Sequence, residues 1–159
     1  MIKVTLIALG KLKEKYLREA VLEYEKRLSR YCDLEIIELE PVKLPDNPSK
    51  AQVDAALLKE AELIFKKLPK NVELYTLCVE GKQLSSEDFA EKIYDISSQG
   101  RGIAFVIGSS YGLSESVKTL SKTRLSLSKM TFPHQLFRVM LLEQVYRAFK
   151  INEGSTYHK

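Results

Sequence analysis

The sequence predicts an α/β fold, a mainly parallel sheet flanked by helices. Three observations carry this. Short runs rich in Val, Ile and Leu alternate with longer stretches in which apolar residues recur every three or four positions, the rhythm of strand followed by helix. One run, Gly102–Ile107, is apolar throughout, as expected of a strand covered on both faces. Gly, Pro, Asn and Ser fall between the runs, where the chain must turn. At 159 residues the chain reads as one domain, residues 1–159, long enough for one core.

Taken in order, residues 4–9 form a first strand ended by Gly10. From Tyr16 the positions Leu17, Ala20, Val21, Tyr24, Leu28 and Tyr31 keep helical spacing. Residues 34–39 are a second strand, and Pro41 to Pro48 a loop with two further breakers, Pro45 and Asn47. Ser49 caps a helix to about Leu68, with Val53, Ala56, Leu57, Ile64 and Leu68 inward. Residues 71–79 are a third strand and Glu80-Gly81-Lys82 a turn. Ser85 or Ser86 caps the next helix, which runs to about Ser98. After Gly102–Ile107 come a glycine-bounded loop at 108–112, a short helix at 113–120 and a fifth strand at 123–127. Pro133 suits the first turn of a last helix, which reaches Asn152 with Leu136, Val139, Met140, Val145, Tyr146 and Phe149 inward. Ligands of such sheets bind beyond the carboxyl ends of the strands. Residues 108–112 and 128–132 lie on that edge.

No apolar run approaches the roughly 18 residues that a membrane span needs. The opening residues 2–7 read as a strand rather than a secretion signal. Cys32 and Cys78 form neither a disulfide framework nor a metal-ligand spacing, so a reducing cytoplasmic setting is expected. Charge is unevenly placed. Residues 1–117 hold 17 Lys and Arg against 19 Asp and Glu, whereas residues 118–159 hold 8 against 2. A basic end on a near-neutral body fits a polyanionic partner, or simply a solvated surface. Charge alone leaves both open.

Gly108-Ser109-Ser110-Tyr111-Gly112 matches the nucleophile elbow G-x-S-x-G between a strand and a helix. A Ser110 hydrolase is therefore one reading. The rest of the triad opposes it, since Asp95 is the last aspartate and Glu115 follows too closely to orient His134. Glycines here serve backbone approach to a ligand better. Neither G-x-x-x-x-G-K-[ST] nor G-x-G-x-x-G occurs, and no His, Cys and carboxylate cluster predicts a metal. His134 opens the last helix, where an anion is favoured; a phosphate contact and a half-buried structural role both fit. Arg147 follows Glu143 at i+4, which serves a helical salt bridge or a phosphate partner. His158 and Lys159 belong by position to a frayed end.

These segments together resemble a known family. Val106-Ile107-Gly108, Tyr111-Gly112-Leu113-Ser114, the run from Leu125-Ser126-Leu127-Ser128 through Lys129-Met130-Thr131-Phe132 to Pro133-His134, then Glu143-Gln144-Val145-Tyr146-Arg147-Ala148 and Tyr157-His158 look like the RlmH family. Its members are SPOUT-class methyltransferases of large-subunit ribosomal RNA. The likeness covers essentially the whole chain, including Lys11-Leu12-Lys13. One position departs from it: Ser109 stands where the family usually has a second glycine.

The resemblance implies a SPOUT-type fold with a C-terminal trefoil knot and a homodimer. It implies S-adenosylmethionine as methyl donor, held by Leu77, Gly108, Leu127, Ser128, Lys129, Met130, Thr131 and Phe132. The substrate implied is a pseudouridine of 23S rRNA on the assembled ribosome, methylated at N3. Arg147 and His134 are implied near the base, with Tyr157 and His158 folding over the pocket, from the second subunit in one arrangement. In this reading His158 assists deprotonation and Arg147 holds the pyrimidine or a phosphate. A non-catalytic ribosome-binding factor on the same fold is the alternative from another class.

Overall fold

A computed structural model describes residues 1–158. Its elements are β1 (Ile2–Leu9), α1 (Lys15–Leu28), β2 (Cys32–Leu39), α2 (Lys50–Lys67), β3 (Val72–Gln83), α3 (Ser86–Ser98), β4 (Gly102–Ile107), α4 (Glu115–Leu120), β5 (Thr123–Ser126) and α5 (His134–Asn152). The strands pair in the order β2-β1-β4-β3-β5, and every pairing is parallel. The expected α/β class holds.

Alternation along the strands divides the interior into two layers, because successive side chains of a strand point to opposite faces. Val4, Leu6 and Ala8 of β1 and Ile103, Phe105 and Ile107 of β4 pack with residues of α1, α3 and α5. Ile7, Leu9, Ala104 and Val106 pack instead with Ala61 and Ile64 of α2 and Val117 of α4. β4 is buried on both sides, as its continuous apolar run predicts. The helix starts follow local chemistry. Ser49 accepts from the Gln52 amide while the Gln52 side chain accepts from the Ser49 amide, a reciprocal cap. Ser85, rather than Ser86, caps α3.

Two elements differ from expectation. The segment 80–82, read as a turn, belongs to β3, which runs on to Gln83. Leu125 of β5 pairs with both Leu77 and Lys82, so the residues between bulge out of the ladder. Gly81 permits this, because a Cβ there would lie 2.5 Å from the Arg124 carbonyl oxygen. A polar, glycine-bearing segment looks like a turn locally; pairing with a strand some forty residues later decides otherwise.

The second difference is the inward stripe of α5. Arg138, Leu141, Leu142, Val145 and Ala148 are buried, while Leu136, Val139, Met140, Tyr146 and Phe149 are half-buried. The helix is apolar on nearly every side, so periodicity cannot select one stripe. Arg138 tolerates burial because its guanidinium donates to Glu38 Oε2 at 2.5 Å and to the Gly10 carbonyl at 3.0 Å. It thereby fastens α5 to the carboxyl ends of β1 and β2. Arg138→Met is expected to lower stability by about 3 kcal/mol in urea unfolding, the lower end for a broken buried pair, since the Glu38 side chain is 39% exposed. No helix among the described residues is long and apolar enough to cross a membrane.

Candidate functional site

A cleft of about 510 Å³ opens beyond the carboxyl ends of β3, β4 and β5. Leu77, Ile107 and Gly108 form its floor; Leu127, Ser128, Thr131 and Phe132 form one wall. The wall's loop is tied to itself. Ser126 donates to the Ser128 carbonyl at 2.9 Å, and the Ser128 hydroxyl accepts from the Met130 amide at 3.0 Å. The serines of this run thus shape the loop, and Phe132 anchors it edge-on against Phe137 with centroids 5.8 Å apart. Lys129 and Met130 do not line the cleft, and Met130 is 73% exposed.

The opposite wall is the loop after β4. Gly108 is packed so closely that a Cβ would lie 2.3 Å from the Gly112 carbonyl oxygen. Gly112 takes φ +85° and its amide donates to the Ser109 carbonyl at 2.8 Å, closing a tight turn. Ser109 adopts no positive φ. Its hydroxyl donates to Glu60 Oε1 at 3.1 Å. The hydroxyl engaged with a carboxylate is therefore Ser109, while Ser110 stands exposed on the loop.

His134 lines this cleft and also a neighbouring cavity of about 860 Å³ that shares Ser109 and Ser110. Burial first, then the positive charges of Arg138 and Lys13, hold its pKa below the ordinary 6.5. It stays neutral at pH 7. The unfolded imidazole takes up its proton near 6.5 and the folded one only at lower pH. The stability this contributes is therefore present above 6.5 and lost as pH falls through the folded value. His134→Gln is expected to flatten the acid side of a pH–stability curve measured by urea unfolding.

Arg147, Tyr157 and His158 assemble elsewhere, around Glu143. Arg147 Nη2 donates to Glu143 Oε1 at 2.7 Å, and the Tyr157 hydroxyl donates to the same oxygen at 3.1 Å. The Arg147 guanidinium also lies over the Tyr157 ring, 4.8 Å from its centroid. His158 places Nδ1 3.4 Å from Arg147 Nη1 and Nε2 2.7 Å from Glu87 Oε1. A guanidinium can only donate. This assigns the accepting role to Nδ1 and the proton to Nε2, directed at Glu87. That hydrogen bond is the main reason the Glu87 carboxyl sits below its usual range. Lys159 lies outside the described residues.

Leu125, Ser126 and Leu127 separate the two groups. The 510 Å³ cleft lies on one side of them, and on the other a pocket of about 330 Å³ reaches Glu143. The chain gathers the tail residues together and gathers His134 with the cleft, but within one chain the two assemblies stay apart.

The family model described as "Predicted SPOUT methyltransferase" matches residues 2–158. This chain belongs to that family. Relatives of this SPOUT methyltransferase include a Methanococcus vannielii protein, 54% identical over 157 residues, 98% of this chain and 99% of the relative. The ribosomal RNA large subunit methyltransferase H of Clostridium beijerinckii is 50% identical over the same shares. A ribosomal RNA large subunit methyltransferase H 1 of Clostridium perfringens is 51% identical, again over 98% and 99%. The SpoU methyltransferase AviRb of Streptomyces viridochromogenes, solved with AdoMet, aligns at a TM-score of 0.48 with 13% identity, over 97% of this chain and 59% of its own.

Two carboxylates of this SPOUT methyltransferase escape sequence reasoning. Glu87 meets His158 only because the tail folds back. Glu60 carried a usable signal: it lies four residues from both Ala56 and Ile64, on the stripe that helical spacing turns inward. An acid at such a position must find partners.

Proposed function

We propose that the chain methylates large-subunit ribosomal RNA with S-adenosylmethionine as donor, at N3 of a pseudouridine in 23S rRNA on the assembled ribosome. It acts in the cytoplasm as a homodimer. The observation that carries this is the cleft beyond β3, β4 and β5, apolar below and closed by the loop after β5. Its volume, about 510 Å³, suits a nucleoside-sized ligand. Relatives of about half identity over their whole length, named for ribosomal RNA methylation, support the same reading. The trefoil knot belongs with it, the run 127–132 being one of the knot's loops.

S-adenosylmethionine would supply a methyl group activated on a sulfonium sulfur. Leu77, Leu127 and Phe132 offer apolar surface to the two faces of an adenine ring. Gly108 lets main chain approach the ligand, and Ser128 and Thr131 bring polar groups to its edge. Lys129 and Met130, which do not line the cleft, contribute only by carrying the loop between Ser128 and Thr131. His134, neutral at the mouth of the cleft, is a hydrogen-bond partner for the base edge.

N3–H of the base is a weak acid, so the site must remove that proton or favour the anion left behind. In a homodimer the tail of the second copy supplies what the cleft lacks. Its Arg147 turns from His158 Nδ1 to the developing anion, which it stabilises, and the Nδ1 lone pair so freed accepts the N3 proton. Tyr157 holds Arg147 in place through Glu143, and Glu87 holds His158. Alignment of N3 with the methyl carbon is the remaining requirement, and it is one of positioning.

Tritium transfer from labelled S-adenosylmethionine tests this on ribosomes that lack the modification, with free rRNA and isolated large subunits in parallel. Label is expected on the assembled ribosome alone. Cofactor binding without transfer to any of the three would overturn the assigned substrate. No cofactor binding at all would favour a non-catalytic ribosome-binding factor.

A further inference from the structure

Glu60 is 4% exposed, on the face of α2 turned to the sheet. Ionisable side chains reach such positions only with partners, and its partners come from two other segments. The Ser109 hydroxyl donates to Oε1 at 3.1 Å and the Val42 amide to Oε2 at 3.4 Å. One carboxylate thus joins α2, the loop after β2 and the loop after β4. The Ser109 bond is the shorter. Burial pushes the Glu60 carboxyl up from its ordinary range, and the Ser109 bond opposes that rise.

Ser109 stands at a junction. It lines both the 510 Å³ cleft and the 860 Å³ cavity, and it follows Gly108, whose contact with Gly112 leaves no room for a Cβ. A loop packed this tightly moves as a piece, so a tether at Ser109 sets where Gly108 presents its main chain. A glycine at position 109 would have no hydroxyl with which to make the tether. The serine and the buried acid therefore read as one device.

We propose that Glu60 is a positioning residue for the cleft: through Ser109 it fixes the loop at 108–112 and thereby sets affinity for S-adenosylmethionine. This rests on the assignment of that cleft under the proposed function. Glu60 touches neither donor nor substrate; its effect passes wholly through the Ser109 hydroxyl.

The experiment is calorimetric titration of S-adenosylmethionine into the full chain and into Ser109→Ala, Glu60→Ala, Glu60→Gln and the Ser109→Ala/Glu60→Ala double variant, with thermal unfolding of each. Each alanine variant is expected to weaken binding about tenfold, and the double variant no further than the weaker single, the signature of one shared interaction. Glu60→Gln keeps an acceptor for Ser109 and should bind within about twofold of the unsubstituted chain. Losses that multiply in the double variant would overturn the proposal. So would Glu60→Gln binding as poorly as Glu60→Ala, or melting points that fall while affinity stays constant. If Glu60→Ala does not fold, Ser109→Ala read against Glu60→Gln still decides. Failure of the unsubstituted chain to bind would be a different result, removing the functional assignment and this inference together.

Discussion

Gly108→Ala is expected to abolish both S-adenosylmethionine binding and methyl transfer. The added Cβ would meet the Gly112 carbonyl oxygen at 2.3 Å, its carbon at 2.6 Å and Leu113 Cγ at 2.9 Å. The first two are main-chain atoms of the same turn, so no rotamer change relieves them. Either the turn opens or β4 backs away, and both dismantle the wall of the cleft. Overpacking against a rigid neighbour costs about 3 kcal/mol, and the affinity loss should exceed 100-fold because the displaced atoms belong to the site (about 2.7 kcal/mol). Gly112→Ala is the control: its φ of +85° makes a side chain strained, yet nothing lies within 4 Å of the added atom. It should cost only about 1 kcal/mol. Wild-type titration curves for Gly108→Ala would refute the placement of the cofactor.

Removing residues 157–159 should have the opposite profile, with turnover falling about 1,000-fold and S-adenosylmethionine affinity unchanged within about twofold. The truncation takes away the imidazole whose Nδ1 faces Arg147, and the phenol that shares Glu143 with that arginine. Arg147 keeps its ion pair with Glu143, but loses the ring beneath its guanidinium. None of these groups lines the cleft, so the donor should still bind. Stability should fall by only about 1 kcal/mol, chiefly through the lost edge contact between Tyr157 and Tyr146. Single-turnover assays with ribosomes, paired with calorimetry on the same preparation, separate the two effects. Unchanged turnover would sink the role given to the tail.

Gly108 was nameable from sequence for local reasons, whereas the tail reads by position as a frayed end and was singled out only by the family resemblance. Gly108 ends an apolar run and opens a glycine-bounded loop, and strand ends of this class of sheet are where ligands sit. The strand Gly102–Ile107 could be read residue by residue, since burial on both faces leaves no polar position in it. The cap at Ser49 was equally legible, because serine and Gln52 satisfy each other within one turn of helix. What could not be read is what depends on distant chain. The outer part of β3 is decided by β5, and the stripe of α5 by whichever neighbours cover an all-round apolar helix. The burial of Arg138 depends on Glu38, a hundred residues away. The tether from Glu60 to Ser109 is of the same kind. The inward position of Glu60 announces that it needs a partner, but that the partner is Ser109 is settled only once α2 lies against the loop after β4.

The sheet's register also governs when the protein can fold. In the parallel register Val4 lies beside Ile103, and Leu6 beside Phe105. A nascent chain can pair β1 with β2 early, but the other edge of β1 waits while some sixty further residues are made. Meanwhile Val4, Leu6 and Ala8 lie along an unpaired rim of the kind that recruits foreign strands. Contacts so far apart in sequence slow folding and lengthen the interval in which unfinished chains can aggregate. The enzyme takes shape late in its own synthesis, and a chain released before β4 is made has no centre around which to close.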